Sequence, residues 1–141
     1  MNQEVKFQIK NIELLDFALK QPDLPLSEET KYKFNINIEQ KFNEPEDLVS
    51  FTTTINIIRE ADQQMQGVIS TNCIYHVENL NQYANEKTKT KTIQLPAQFN
   101  TTLISISLST TRGIMFSQFR GTFLHNAILP IINPTDFTKE I

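Results

Sequence analysis

Thr110–Phe137 reads TTRGIMFSQFRGTFLHNAILPIINPTDF, and this stretch carries more structural information than the rest of the chain together. At its centre, Arg120-Gly121-Thr122-Phe123 follows an apolar segment. An Arg-Gly pair at such a point reads as a helix end, because Gly supplies the left-handed turn and Arg faces the negative pole. Beyond it, Ile128-Leu129-Pro130-Ile131-Ile132 is too apolar to be free in water, and Pro130 and Pro134 break it too often for a helix. Such a segment has to lie pressed against the domain or form the wall of a groove.

Immediately upstream, local rules disagree. Ile104-Ser-Ile-Ser-Leu108 alternates and is β-branched, which favours a strand. On a helix, however, Ile104, Leu108, Met115 and Phe119 form one stripe, and Phe99, Leu103, Ile106 and Ile114 form a second, well separated around the axis. A helix apolar on two sides has to be buried on two sides. One side would cover its own sheet and the other a second chain, so Leu103, Ile104, Ile106, Leu108, Ile114 and Met115 are the candidate oligomer interface. Ser105, Ser107, Ser109 and Thr110 between the stripes are small enough for close approach of a neighbouring helix. Pro96 suits a first helical turn.

Towards the N-terminus the pattern has period two. Val5, Phe7 and Ile9 alternate with Lys6, Gln8 and Lys10, and the alternation slips at Leu14-Leu15, which predicts a bulge before Phe17 and Leu19. Gln21–Glu28 holds two prolines and reads as a crossover loop. Tyr32, Phe34, Ile36 and Ile38 alternate cleanly, as do Val49, Phe51, Thr53, Ile55 and Ile57, and Met65–Val77 reads as a fourth strand. The intervening turns, 43–47 and 60–64, are short, so strands two to four are expected to pair as an antiparallel meander. Glu78–Thr92, with Lys87, Lys89 and Lys91, reads as a solvated loop or an edge strand.

The closing pattern resembles the SecB family of bacterial export chaperones, whose chain ends on a helix, then RGTF, then a proline-bearing apolar run. Here Pro130 follows Arg120 at the family's spacing, Ile131, Ile132, Asn133 and Phe137 continue in similar character, and Val5–Ile9 with Leu14-Leu15-Asp16-Phe17 is similar to its first strand. The resemblance covers most of residues 4–137 and implies a helix over 97–120, roughly 36 Å long at the usual rise. The implied fold class is α+β: a single domain over 1–141, with a four-stranded antiparallel sheet, one long helix on one face, and the apolar Pro-bearing segment strapped alongside. It further implies a cytoplasmic homo-oligomer, a dimer of dimers, that holds non-native polypeptide without nucleotide or metal and passes it to the motor SecA. The few residues after Phe137 leave the family's motor-docking tail without a counterpart, so client binding is expected ahead of SecA coupling.

Composition sets the outer bounds. The chain has 141 residues with 39% apolar and 21% charged, which fits one globular domain with a real core. A net charge of −3 gives no basic face for a nucleic-acid backbone, and no apolar run approaches the ~20 residues of a membrane span. Cys73, the single cysteine, forms no internal disulfide. His76 and His125 have no partner at metal-ligand spacing, and on a strand Cys73 and His76 point to opposite faces, which defeats a thiolate–imidazole pair. No Gly-flanked serine elbow, P-loop or dinucleotide fingerprint occurs, so no catalytic residue, cofactor or metal is expected.

The functional candidates are apolar residues in loops: Leu24 and Leu26 in the crossover, and Leu124, Ile128, Leu129, Ile131 and Ile132 in the closing segment. Placed around a sheet edge and a helix, they would line a groove for an unfolded client. The alternative is the same scaffold serving one dedicated partner, as in toxin–antitoxin systems.

Overall fold

The computed structural model describes residues 5–20, 30–85 and 92–138. The alternating segments form β1 (Phe7–Leu19), β2 (Tyr32–Asn43), β3 (Leu48–Arg59) and β4 (Met65–Val77). They make one four-stranded sheet in the order β1-β4-β3-β2, every pair antiparallel. The meander β2-β3-β4 is as expected. β1 lies beyond β4 rather than beside β2, so the chain crosses to the far edge through 21–29, which lies outside the described residues.

The slip at Leu14-Leu15 is a bulge, with the β1–β4 register shifting between Leu14 and Asp16. A second shift lies between Ile9 and Asn11, a position that the alternation alone did not mark. The two bulges explain an odd spacing. Ile9, Ile12, Leu14 and Phe17 stand opposite Tyr75, Cys73, Thr71 and Ile69 of β4, all buried, so steps of three, two and three residues stay on one face.

With only 3 glycines in the chain, most left-handed turn positions fall to other residues. Asp47, Gln63 and Asn79 sit at φ 56°, 59° and 56°. Asp and Asn tolerate this region because their short polar side chains bond locally; Asp47 accepts from the Leu80 amide at 3.1 Å. Leu80 is fully buried at the start of a 3₁₀ turn, Leu80–Tyr83, so part of the segment read as a solvated loop is anchored in the core. A short ladder, β5 (Ala84–Asn85) with β6 (Thr92–Ile93), closes that excursion; Lys87, Lys89 and Lys91 lie outside the described residues.

The helix α1 runs Ala97–Phe119, with Pro96 just outside it accepting the Asn100 amide at 2.9 Å. It covers the face carrying Val49, Phe51, Ile55, Ile57, Ile69 and Tyr75. The core divides in two. Val49, Phe51, Tyr75, Val77 and Leu80 pack with Leu103, Ile104 and Leu108, while Ile55, Ile57 and Ile69 pack with Met115, Phe119, Leu124 and Leu129. Between them lies a buried polar belt, Thr53, Thr71 and Thr111. Thr111 Oγ1 donates to the Ser107 carbonyl at 2.7 Å, so the Thr71 hydroxyl is the donor in their 2.7 Å contact.

Leu103, Ile104, Leu108 and Met115 therefore belong to the protomer's own core, which corrects their assignment to an oligomer interface. The reason is that a single helix lies across a four-stranded sheet and the strap packs beside it in the second cluster. Both stripes find partners inside one chain. Ile106 and Ile114 are half-buried and keep part of their surface open.

Candidate functional site

At the end of α1, Arg120 is extended (φ −60°, ψ 129°) and Gly121 takes the left-handed turn at φ 81°. The Arg-Gly helix end stands where the sequence puts it. Thr122 then donates its amide (3.0 Å) and Oγ1 (2.6 Å) to the Phe119 carbonyl, satisfying a group the helix leaves open. His125 Nδ1 lies 2.8 Å from the Thr122 carbonyl; a carbonyl only accepts, so Nδ1 carries the proton and Nε2 is left free.

From there the chain straps back along α1. Leu124, Ala127 and Leu129 are buried in the second core cluster. Leu124 reaches the sheet because β4 has Gly67 beneath it: a Cβ there would stand 2.7 Å from Leu124 Cδ1 and 3.3 Å from the Ala18 carbonyl oxygen. Arg112, on α1, donates Nε to the Leu129 carbonyl (2.8 Å) and Nη2 to the Pro130 carbonyl (2.9 Å). Pro130 makes a helix impossible here, so these carbonyls lack helical partners and the guanidinium supplies one. A one-turn helix, α2 (Thr135–Thr138), follows.

The closing-segment candidates thus divide. Leu124 and Leu129 are fully enclosed core side chains, which corrects their assignment as client contacts. Ile128 is 54% and Ile131 95% exposed, and Ile132 is half-buried against the second cluster. Leu24 and Leu26 lie outside the described residues. Ile128 is brought together with residues the sequence reading did not select. Phe116, Arg120, Gly121, Thr122, His125, Asn126 and Ile128 line one open pocket of about 470 Å³. Its signal was available in part, since Phe116 and Arg120 are four apart on the helix and share a face with Gly113.

A second apolar surface lies on β1. Ile9, Ile12 and Leu14 are on the helix side of the sheet yet remain exposed; α1 meets β1 near its two ends, where the Phe7 ring packs on Phe99 (5.0 Å) and Phe17 on Phe119 (5.5 Å), and leaves the middle of the strand open. The other sheet face is uncharged and polar at its centre, with Thr52 bonded to Asn72 (3.1 Å) and Thr54 to Ser70 (2.9 Å).

The titratable groups inside the domain serve packing. Burial pushes the Cys73 thiol and the Tyr75 phenol up, and the Tyr75 hydroxyl pairs with Ser107 at 2.8 Å. Cys73 and His76 alternate across the sheet, Cys73 inward. Among the described residues no three His, Cys, Asp or Glu side chains converge as a metal site, and no helix is long and apolar enough to cross a membrane.

No family model matches this chain, and no curated protein does. Among solved structures it is similar to the Mycobacterium tuberculosis Rv1957 SecB-like chaperone, determined in complex with a ChAD peptide from the Rv1956 HigA1 antitoxin. The two superpose with a TM-score of 0.64 over 89% of each chain, at 12% sequence identity.

The fold is SecB-like. Likeness at this identity speaks for the backbone alone: a four-stranded antiparallel sheet, one long helix across it, and chain beyond the helix returning along its flank. On that scaffold, among the described residues, the exposed large apolar side chains lie at the strap, towards the end of α1, on β1 and, as Met65, at the start of β4.

Proposed function

We propose that this SecB-like protein is a chaperone that holds non-native polypeptide in extended form, and that it serves a dedicated partner rather than general export. The observation that carries the reading is the strap itself. Its backbone is pinned by Arg112 and its inner side chains are sunk in the core, yet Ile131 faces outwards and Ile128 lines the open pocket that contains Phe116. A closed module would turn those side chains in. Burying one apolar side chain gives roughly 1.5–3 kcal/mol, and several together can retain a chain without reading its sequence. No catalytic step, metal or nucleotide enters this reading.

The preference for a dedicated partner rests on the similar structure, which carries a peptide from an antitoxin. Coupling to SecA has no comparable support. Assembly with copies of itself, as a dimer or a dimer of dimers, is supported by the exposed β1 row and by the outer face of α1, where Ser105, Ser109 and Gly113 are exposed.

The test dilutes several unrelated, chemically denatured, aggregation-prone proteins into an excess of this chain and follows light scattering. A dedicated chaperone suppresses aggregation of a few and fails with most; a general one suppresses most. Suppression of none, together with no retention of a labelled, permanently unfolded polypeptide in anisotropy, removes the polypeptide-binding reading.

A further inference from the structure

We infer that the pocket at the C-terminal end of α1 selects an apolar side chain with a carboxylate next to it, so that it takes an acidic–apolar step in an extended polypeptide. This rests on the polypeptide-binding reading and adds a chemical preference to it. The apolar half of the pocket is Phe116 and Ile128, 53% and 54% exposed, facing open space from two different elements. The polar half is Arg120, Thr122, His125 and Asn126, which contains no acidic residue. That is a local reversal in a chain whose net charge is −3.

Arg120 is exposed, and among the described residues no carboxylate lies within ion-pair distance of it; Arg59 with Asp62 is the ion pair found there. A guanidinium left without a carboxylate is a fork of donors matched to one. The helix end could oppose an anion, because its free carbonyls carry partial negative charge. Thr122 reduces that opposition by giving the Phe119 carbonyl two donors. The ring of His125 is held by the Thr122 carbonyl, and the Asn126 amide supplies a further donor group to the lining.

Space agrees with the charge. A Cβ at Gly121 or at Gly113 would meet nothing within 4 Å, so the surface is open both at the turn and about two helical turns back. A client backbone can therefore run along α1 and place one side chain between Phe116 and Ile128. The other pocket of similar size, lined by Glu44, Pro45, Asp47, Asn79 and Asn81, has the opposite charge and no large apolar wall.

The experiment uses two acetylated, amidated Gly/Ser-rich peptides, one carrying a central Leu-Leu-Glu-Leu step and the other Leu-Leu-Gln-Leu. Each is titrated by fluorescence anisotropy into the full chain and into Arg120→Gln, with the light-scattering assay and solution mass run on both proteins. The glutamate peptide is expected to bind the unaltered chain about three- to fivefold more tightly than the glutamine peptide, with the margin shrinking in high salt. Arg120→Gln is expected to erase the margin while leaving the affinity for the glutamine peptide and the solution mass unchanged. Equal binding of the two peptides, a margin that survives in Arg120→Gln, or failure of both peptides while denatured clients are still held would overturn the inference and leave the chaperone reading standing. A change of mass in Arg120→Gln would give the pocket to a second copy of the chain, which also overturns it. If neither peptides nor denatured proteins bind, both readings fall.

Discussion

Two isoleucine and leucine truncations, two residues apart on the strap, should have opposite consequences. Ile131 is 95% exposed, so Ile131→Ala removes no packing from the folded protomer. Covered by a client, that side chain would contribute about 2–3 kcal/mol, a ceiling of roughly 30- to 150-fold in affinity. Ordering the client offsets part of that, and about a tenfold loss is the expected outcome. Leu129 is 1% exposed and lies among Ile69, Met115, Phe119 and Leu124. Leu129→Ala should therefore cost about 2–5 kcal/mol of folding stability, a large share of the ~5–15 kcal/mol typical of a domain. The assays are anisotropy with a labelled, permanently unfolded client and equilibrium denaturation in urea, both on each variant. Ile131→Ala should shift the first and leave the second midpoint unchanged; Leu129→Ala should shift the second. Affinity of Ile131→Ala within twofold of the parent, at matched stability, would refute the claim that the outward face of the strap touches clients.

Thr53 Oγ1 is buried in the polar belt with no hydrogen-bond partner among the described residues, so the near-isosteric Thr53→Val should stabilise the domain by about 1–2 kcal/mol and raise Tm by a few degrees in calorimetry. Gly67→Ala would drive a methyl into Leu124 and towards the Ala18 carbonyl, costing about 1–3 kcal/mol and raising protease cleavage along the strap. The hydrogen bond from Arg59 holds the Asp62 carboxyl below its ordinary value, with Nε 2.9 Å from Oδ1. A depressed folded-state value gives stability that is present above the usual carboxylate range near pH 4 and lost as pH falls through the lower folded value. Asp62→Asn should accordingly flatten the acid limb of stability against pH, read from urea midpoints between neutrality and the acid transition.

A pair of lysine substitutions on α1 tests the correction made to the interface. Leu108 is 2% exposed, so Leu108→Lys buries a charge without a partner and should unfold the chain. Ile106 is half-buried with its outer part open, so Ile106→Lys should leave circular dichroism unchanged and lower the solution mass if copies meet across this helix. An unchanged mass would remove the outer face of α1 from any assembly.

How much of this was legible in the chain depends on whether a period governed the residues concerned. Tyr32–Ile38 and Val49–Ile57 follow the period of two, and the structure pairs them in unbroken register from Tyr32 against Arg59 to Asn43 against Leu48. Ile104–Leu108 follows two periods at once. It became helix because both apolar stripes bury against one sheet and one strap, which outweighs the β-branched propensity; Thr101, Thr102 and Thr111 are accommodated there with their hydroxyls bonded to carbonyls four residues earlier. The strap has no period at all. In irregular chain the facing of Leu129 and Ile131 is settled by Arg112, by Pro130, and by the space that Gly67 leaves for Leu124, all of them distant in sequence or silent in propensity. Composition could therefore identify the segment as apolar and could not say which of its side chains were spent on the core. That division is what bears on the proposed function: the same five residues that would make a greasy, aggregation-prone tail become, once Leu124 and Leu129 are sunk, Ile132 is half-buried and two carbonyls are clamped, a ledge with Ile128 and Ile131 held outwards. A ledge already ordered before a client arrives loses little entropy on binding, which is the physical reason a chain this small could hold an unfolded polypeptide with so few exposed side chains.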